Sequence, residues 1–206
     1  ADEEVGSRES GRYVRRLARI ADRALVLEPS LGIEGRLKTE RKGVARYTVV
    51  VHGRAAHAGL DPGAGASAIL ELSHVIQALF ALNDPARGIT VNVGTIDGGL
   101  RPNVVAPQSR AVVDVRTRTI VDAEAVDAAV RALEPATPGT SLTVEGGLGR
   151  PPLEATPRNR ALFDTARHLA SRLDLPLEGG LAGGGSDGST TSLYTATLDG
   201  LGPVGD

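Results

Sequence analysis

Apolar residues recur at three- and four-residue spacings over 10–24, where Tyr13, Val14, Leu17, Ile20, Ala21 and Ala24 share one side of a helical wheel and arginines fill the other. The run 25–27 then predicts a short buried strand that delivers Glu28 to a strand end, closed by Pro29. From Gly43 the pattern shortens to alternation, and 45–52 reads as a strand followed by the polar turn His57-Ala58-Gly59 and Asp61-Pro62-Gly63. A helix follows, capped by Ser67, with Ile69, Leu72, Ile76, Leu79 and Phe80 as its apolar face and Asn83-Asp84-Pro85 as its stop. Strands over 89–96 and 109–116, a helix over 122–133 and a strand over 141–144 come next.

That order, strand-helix-strand-strand-helix-strand, is the split βαβ arrangement of ferredoxin-like domains, and it predicts a compact α+β domain over 41–150. A further amphipathic helix over 159–173 turns Leu162, Phe163, Ala166, Leu169 and Ala170 inward, ahead of the loop Gly183-Gly184-Gly185-Ser186-Asp187. With so little side-chain bulk, the loop lets backbone N–H groups approach a bound group closely. The ends, 1–40 and 151–206, share the helix and short-strand texture of an α/β layer. The fold expected is therefore an α/β domain, incomplete in this chain, with a ferredoxin-like βαββαβ domain inserted into it.

Composition narrows the chemistry. The 23 basic and 25 acidic residues nearly cancel, and no basic stripe with interleaved aromatics marks a nucleic-acid surface. Cysteine is absent, so any metal must be held by His, Asp or Glu, which suits a reducing cytoplasm. No apolar run reaches the roughly 18 residues of a membrane span, and no secretory leader pattern is present. Methionine is absent too, and the chain opens on an acidic cluster without the strand that such a cluster ordinarily terminates, so it reads as a piece of a longer protein.

Few side chains carry a signal on their own. Glu3 and Glu4 would point to opposite faces of a strand and can act together only where the chain turns; taken alone, a solvated acidic helix start is the ordinary reading. His57 sits among small residues, placed either to reach a ligand or partner or to be a plain loop histidine. Asn103, close after Gly98-Gly99, could turn its amide to a pocket or serve a turn. Arg116 at a strand end and Arg150 before two prolines could each grip a carboxylate bidentately, yet in an arginine-rich chain solvation is the default. His52, His74 and His168 read as structural or exposed.

The order of motifs says more than any one of them. Asp2-Glu3-Glu4-Val5-Gly6-Ser7, Leu27-Glu28-Pro29, Gly53-Arg54-Ala55-Ala56-His57-Ala58-Gly59, Gly94 to Asn103-Val104-Val105, Asp114-Val115-Arg116 and Gly183-Gly184-Gly185-Ser186-Asp187 follow one another along nearly the whole chain. This series resembles the zinc-dependent exopeptidase and deacylase superfamily, which includes glutamate carboxypeptidase, acetylornithine deacetylase, succinyl-diaminopimelate desuccinylase and aminoacylase. Arg41-Lys42-Gly43 and Leu198-Asp199-Gly200-Leu201-Gly202-Pro203 bring it closest to the glutamate carboxypeptidase branch.

The resemblance implies cleavage of an amide bond next to a free carboxylate, in a peptide or an N-acyl amino acid. It implies Glu3 as general base, Glu4 and Glu28 as ligands of two zinc ions, and a homodimer through the 41–150 lid, with His57 crossing to the partner's site to hold the reacting carbonyl oxygen. Asn103, Arg116, Gly184, Gly185 and Ser186 match substrate-binding positions, with Arg150 added to them. In such a site two zinc ions share a water of lowered pKa, and a carboxylate moves its proton to the leaving amine. Of the ligands implied, only Glu4 and Glu28 lie in this chain; the others belong upstream of Ala1 and beyond Asp206, so the chain alone is expected to be inactive. Two other readings stand beside this one: a non-catalytic dimerisation module, and a metal-free carboxylate binder built on Arg116 and the glycine loop.

Overall fold

The computed structural model describes residues 2–7 and 9–204, so both chain ends, Ala1 and Asp206, fall outside it. After a 3-10 turn at Glu3–Val5, its elements are α1 (Gly11–Ala18), β1 (Arg23–Val26), β2 (Leu37–Arg41), β3 (Gly43–His52), α2 (Ala68–Phe80), β4 (Thr90–Gly98), β5 (Gln108–Thr117), α3 (Ile120–Arg131), β6 (Ser141–Arg150), α4 (Pro157–Ser171), β7 (Gly179–Ala182), α5 (Asp187–Thr191) and β8 (Ala196–Asp199). They gather into two compact units, one from 45–116 and 121–148, the other from 1–44, 117–120 and 149–206.

The first unit is the ferredoxin-like one. Its sheet runs β4-β5-β3-β6, and the order β3-α2-β4-β5-α3-β6 along the chain is the split βαβ arrangement. Alternation does the sorting: Tyr47, Val49 and Val51 on β3 and Ala111, Val113 and Val115 on β5 point to one face, where Leu72, Val75, Leu79, Val126 and Val130 from α2 and α3 cover them. Ser67 caps α2 by accepting from the Leu70 amide at 3.2 Å. The face α2 buries is Ala68, Leu72, Val75 and Leu79, whereas Ile69 and Phe80, expected inside, are 49% and 45% exposed. The hydrophobic stripe on this helix is wider than the sheet can cover, and packing selects its middle. Strand β6 continues to Arg150, past the expected end at 144, with Gly146 and Gly147 at positive φ within it.

The second unit has the sheet β1-β8-β2-β7, with β1 parallel to β8 and β2 parallel to β7. α1 ends at Ala18 rather than at 24, since Arg23–Val26 pairs with Ala196–Asp199 and the backbone bonds of that ladder override the helical spacing. Its buried positions are Gly11 and Ala18, with Tyr13, Leu17 and Ile20 at 54%, 62% and 80% exposure. α4 lies on β8 and β2 with its cap at Thr156. Leu162, Phe163, Ala166 and Ala170 are half-buried there, and Leu169 is exposed. Among the described residues no helix is long and apolar enough to cross a membrane.

Candidate active site

Asp2-Glu3-Glu4 opens the 3-10 turn Glu3–Val5 and is held into the fold by hydrogen bonds. The Asp2 carboxylate accepts from the amides of Glu9 at 2.7 Å and Ser10 at 3.2 Å, which pins the acidic turn to the entrance of α1. Hydrogen bonds from the Ser10 side chain and the Glu9 amide hold its carboxyl down to about 2. Gly6 then takes φ 95° and closes the turn. Glu3 is half-buried and Glu4 exposed.

Arg150 gathers this turn to the glycine loop. Its Nη1 lies 2.5 Å from Glu3 Oε1 and 3.9 Å from Asp187 Oδ1, while Nη2 donates to the Glu3 carbonyl. Ser7 Oγ donates to the same Asp187 oxygen. The stem of Arg150 passes over Gly185, where an added Cβ would lie 3.2 Å from its Cδ. Both terminal nitrogens of Arg150, read from sequence as a carboxylate grip, are thus engaged by Glu3.

A second arginine does the same on the other side of the loop. Arg41 at the end of β2 donates from Nε to Asp199 Oδ2 at 2.7 Å and from Nη2 to Oδ1 at 3.0 Å. Its Nη1 donates to the Gly184 carbonyl at 3.0 Å, and Glu28 Oε2 stands 3.6 Å from Nη2. The Ser186 hydroxyl donates to Asp199 Oδ2 at 2.5 Å and accepts from the Gly188 amide at 3.0 Å. Ser186 caps α5 and is buried, its amide donating to Ser189 Oγ at 3.4 Å, so it is committed within the fold and a ligand at the loop would meet the backbone of Gly184 and Gly185. Sequence reading gave no part to Arg41 or Asp199 beyond likeness of motif; the signal available was a cationic strand end and a lone aspartate closing a strand of small residues.

In the ferredoxin-like unit, the structure brings His57 and Asn103 together. His57 and Val104 form an isolated antiparallel bridge, and the Ala58 amide donates to the Asn103 carbonyl at 3.0 Å. His57 is exposed, and its Nδ1 accepts from the Gly59 and Leu60 amides at 3.1 and 3.2 Å. Two donors into Nδ1 leave the ring proton on Nε2, facing outward as a donor. Gly53 makes the turn possible: a Cβ there would lie 2.2 Å from the Ala66 carbonyl. Arg116 is not part of this cluster. It lies at the far end of β5, with Nε and Nη2 donating to Asp114 at 2.6 and 3.0 Å.

Among the described residues no three His, Cys, Asp or Glu side chains are gathered so that they could hold a metal ion. Glu28 faces Arg41 instead of a second acidic ligand. A zinc pair therefore does not fit the donors this chain assembles.

The motif order has counterparts among known proteins. Residues 39–136 match the family model described as "Peptidase dimerisation domain". Carboxypeptidase G2 of Pseudomonas sp. (strain RS-16) is 29% identical over 170 residues, which cover 80% of this chain and 40% of that protein. A probable carboxypeptidase of Uncinocarpus reesii is 34% identical over 113 residues, 48% of this chain and 25% of its own length. The chain thus spans less than half of the curated relatives it matches. In fold it is similar to aminopeptidase PepT from Bacillus cereus, with a TM-score of 0.81 at 22% identity, covering 96% of this chain and 53% of that one. With this domain model seated on the ferredoxin-like unit and these relatives matching beyond it, residues 39–136 are similar to a peptidase dimerisation domain and the chain is similar to carboxypeptidases.

Proposed function

We propose that the chain is part of a metal-dependent hydrolase that cleaves an amide bond next to a free carboxylate, as a carboxypeptidase or an N-acyl amino acid deacylase. The observation that carries this reading is the convergence of Glu3, Glu28 and the 183–186 loop, distant in sequence, on Arg150 and Arg41. In this reading the flanks 1–40 and 151–206 are parts of the catalytic domain, and 41–150 is a lid through which two copies pair. Glu3 takes a proton from the attacking water and passes it to the leaving amine, with Arg150 fixing which oxygen faces the substrate. Backbone donors of Gly184 and Gly185 receive the substrate's carboxylate, with Ser186, whose amide donates to Ser189 Oγ, closing the loop, and Asn103 and Arg116 are further substrate contacts that the lid contributes. His57, with its proton on Nε2, donates to the carbonyl oxygen in a partner's site. Glu4 and Glu28 are the zinc ligands this chain contributes, and further donors are required to complete a centre. The absence of cysteine suits the reducing cytoplasm in which we place the protein.

The test uses the product of the complete reading frame that contains this chain, assayed with zinc against dipeptides, N-acyl amino acids and N-carbamoyl amino acids. Hydrolysis is expected for at least one amide with a neighbouring free carboxylate, and not for the methyl ester of the same compound. If nothing in the panel is cleaved, the hydrolase reading fails. The non-catalytic dimerisation module, favoured by the lack of a gathered metal-ligand set among the described residues, then takes its place.

A further inference from the structure

Arg41 and Asp199 form the most completely buried ion pair among the described residues, their side chains 5% and 0% exposed. A pair removed from water to this degree persists only if the remaining hydrogen-bonding capacity is used. Beyond Glu28, which stands 3.6 Å from Arg41 Nη2, that capacity is directed at one place. Arg41 keeps Nη1 for the Gly184 carbonyl, and Asp199 keeps Oδ2 for the Ser186 hydroxyl. The pair therefore holds the loop from both sides of Gly185, at a carbonyl before it and a side chain after it. Ser186 in turn accepts from the Gly188 amide and so sets the first turn of α5. A Cβ at Gly188 would lie 2.5 Å from Asp199 Oδ2, so a side chain there would displace the carboxylate. Glycines have the widest backbone freedom of any residue, and three in succession do not keep one conformation unless something outside them imposes it.

We infer that Arg41 and Asp199 are positioning residues: a buried, bidentate clamp that fixes the 183–186 loop, so that the backbone N–H groups of Gly184 and Gly185 are already aimed when a carboxylate-bearing substrate arrives. The clamp acts through the loop and does not touch the substrate. The inference rests on the reading of the loop as a substrate contact, and its experiment separates the two. The planar fork is essential, because only a guanidinium presents parallel donors to Asp199 and a further donor to Gly184 at once.

Hydrogen exchange is followed in the chain carrying Arg41→Lys, Asp199→Asn, or the joint replacement of Arg41→Met with Asp199→Leu. The joint variant leaves no lone buried charge and keeps similar volume, so it reports on the loop even where a single variant unfolds. In it the Ser186 and Gly188 amides are expected to exchange about tenfold faster or more, while the amides of Val49 and Val113 keep their protection. Arg41→Lys, where it folds, is expected not to restore the loop. Wild-type protection of the loop in the joint variant, or full rescue by lysine, overturns the clamp. In the product of the complete reading frame, the loosened loop is expected to raise KM for a cleaved N-acyl amino acid about tenfold, with kcat changed less. A loosened loop with unchanged KM overturns the substrate-contact reading and leaves the clamp standing.

Discussion

Buried charge is where single residues decide most in this chain. Glu71 on α2 is 1% exposed, and its carboxylate accepts from the Ala136 amide at 3.1 Å and the Thr137 amide at 2.6 Å. Burial pushes its carboxyl up, but the hydrogen bonds from the Thr137 side chain and from the Thr137 and Ala136 amides outweigh it and hold the group below the ordinary 4.5. A carboxyl lowered on folding stabilises the fold above its unfolded value, and the contribution is lost as pH falls through the folded one. Glu71→Ala should therefore cost about 2 kcal/mol near neutral pH and flatten the acid limb of stability below about 4.5; urea unfolding between pH 3 and 7 checks both, and an unchanged acid limb refutes the account. Glu3 is tested by chemistry instead. Glu3→Gln in the product of the complete reading frame should lower kcat by about 10²-fold or more with metal content intact, and a variant that retains turnover removes Glu3 as base. Local pattern ranked neither residue, since glutamates on a helix and at a turn look the same whether solvated or buried; Glu3 was singled out only by the order of motifs.

Elements were legible where their period was strong and their neighbours were close in sequence. The β3-α2-β4-β5-α3-β6 unit follows its hydrophobic spacing because both periods, two and 3.6, serve one core. The short elements β2, β7, α5 and β8 were not read as such, being five residues or fewer and formed of charged residues, glycines or threonines. Their order comes from pairing between segments more than a hundred residues apart, such as Leu37 with Gly179. Which residues of a helix are inside is also a matter of partners. On α2, Leu79→Ala should cost about 3 kcal/mol by leaving a cavity in the core, while Phe80→Ala should cost less than about 1 kcal/mol. Chemical unfolding of the two variants decides it, and equal losses would show that the apolar face read from spacing is the true one.

For the molecule as a whole, the open matter is metal. The described residues gather no set of three donors, and Glu28 is held by Arg41, so this chain should not bind two equivalents of zinc with submicromolar affinity. Calorimetric titration with zinc is the measurement, and tight binding of two equivalents would show a ligand set the fold does not display. The relatives matched are more than twice the length of the segments they share with this chain.

What the sequence determined by itself was local and ordinal: the alternating and helical periods that specify the ferredoxin-like unit, the Ser67 cap, and a motif order that no single residue could supply. What only the tertiary structure decided was which charges meet. Arg41 and Asp199 are 158 residues apart, and Arg150 and Glu3 are 147. A guanidinium's partner is chosen by where strands and turns bring carboxylates within hydrogen-bond reach and out of water. Spacing along the chain holds no record of that distance or of that burial.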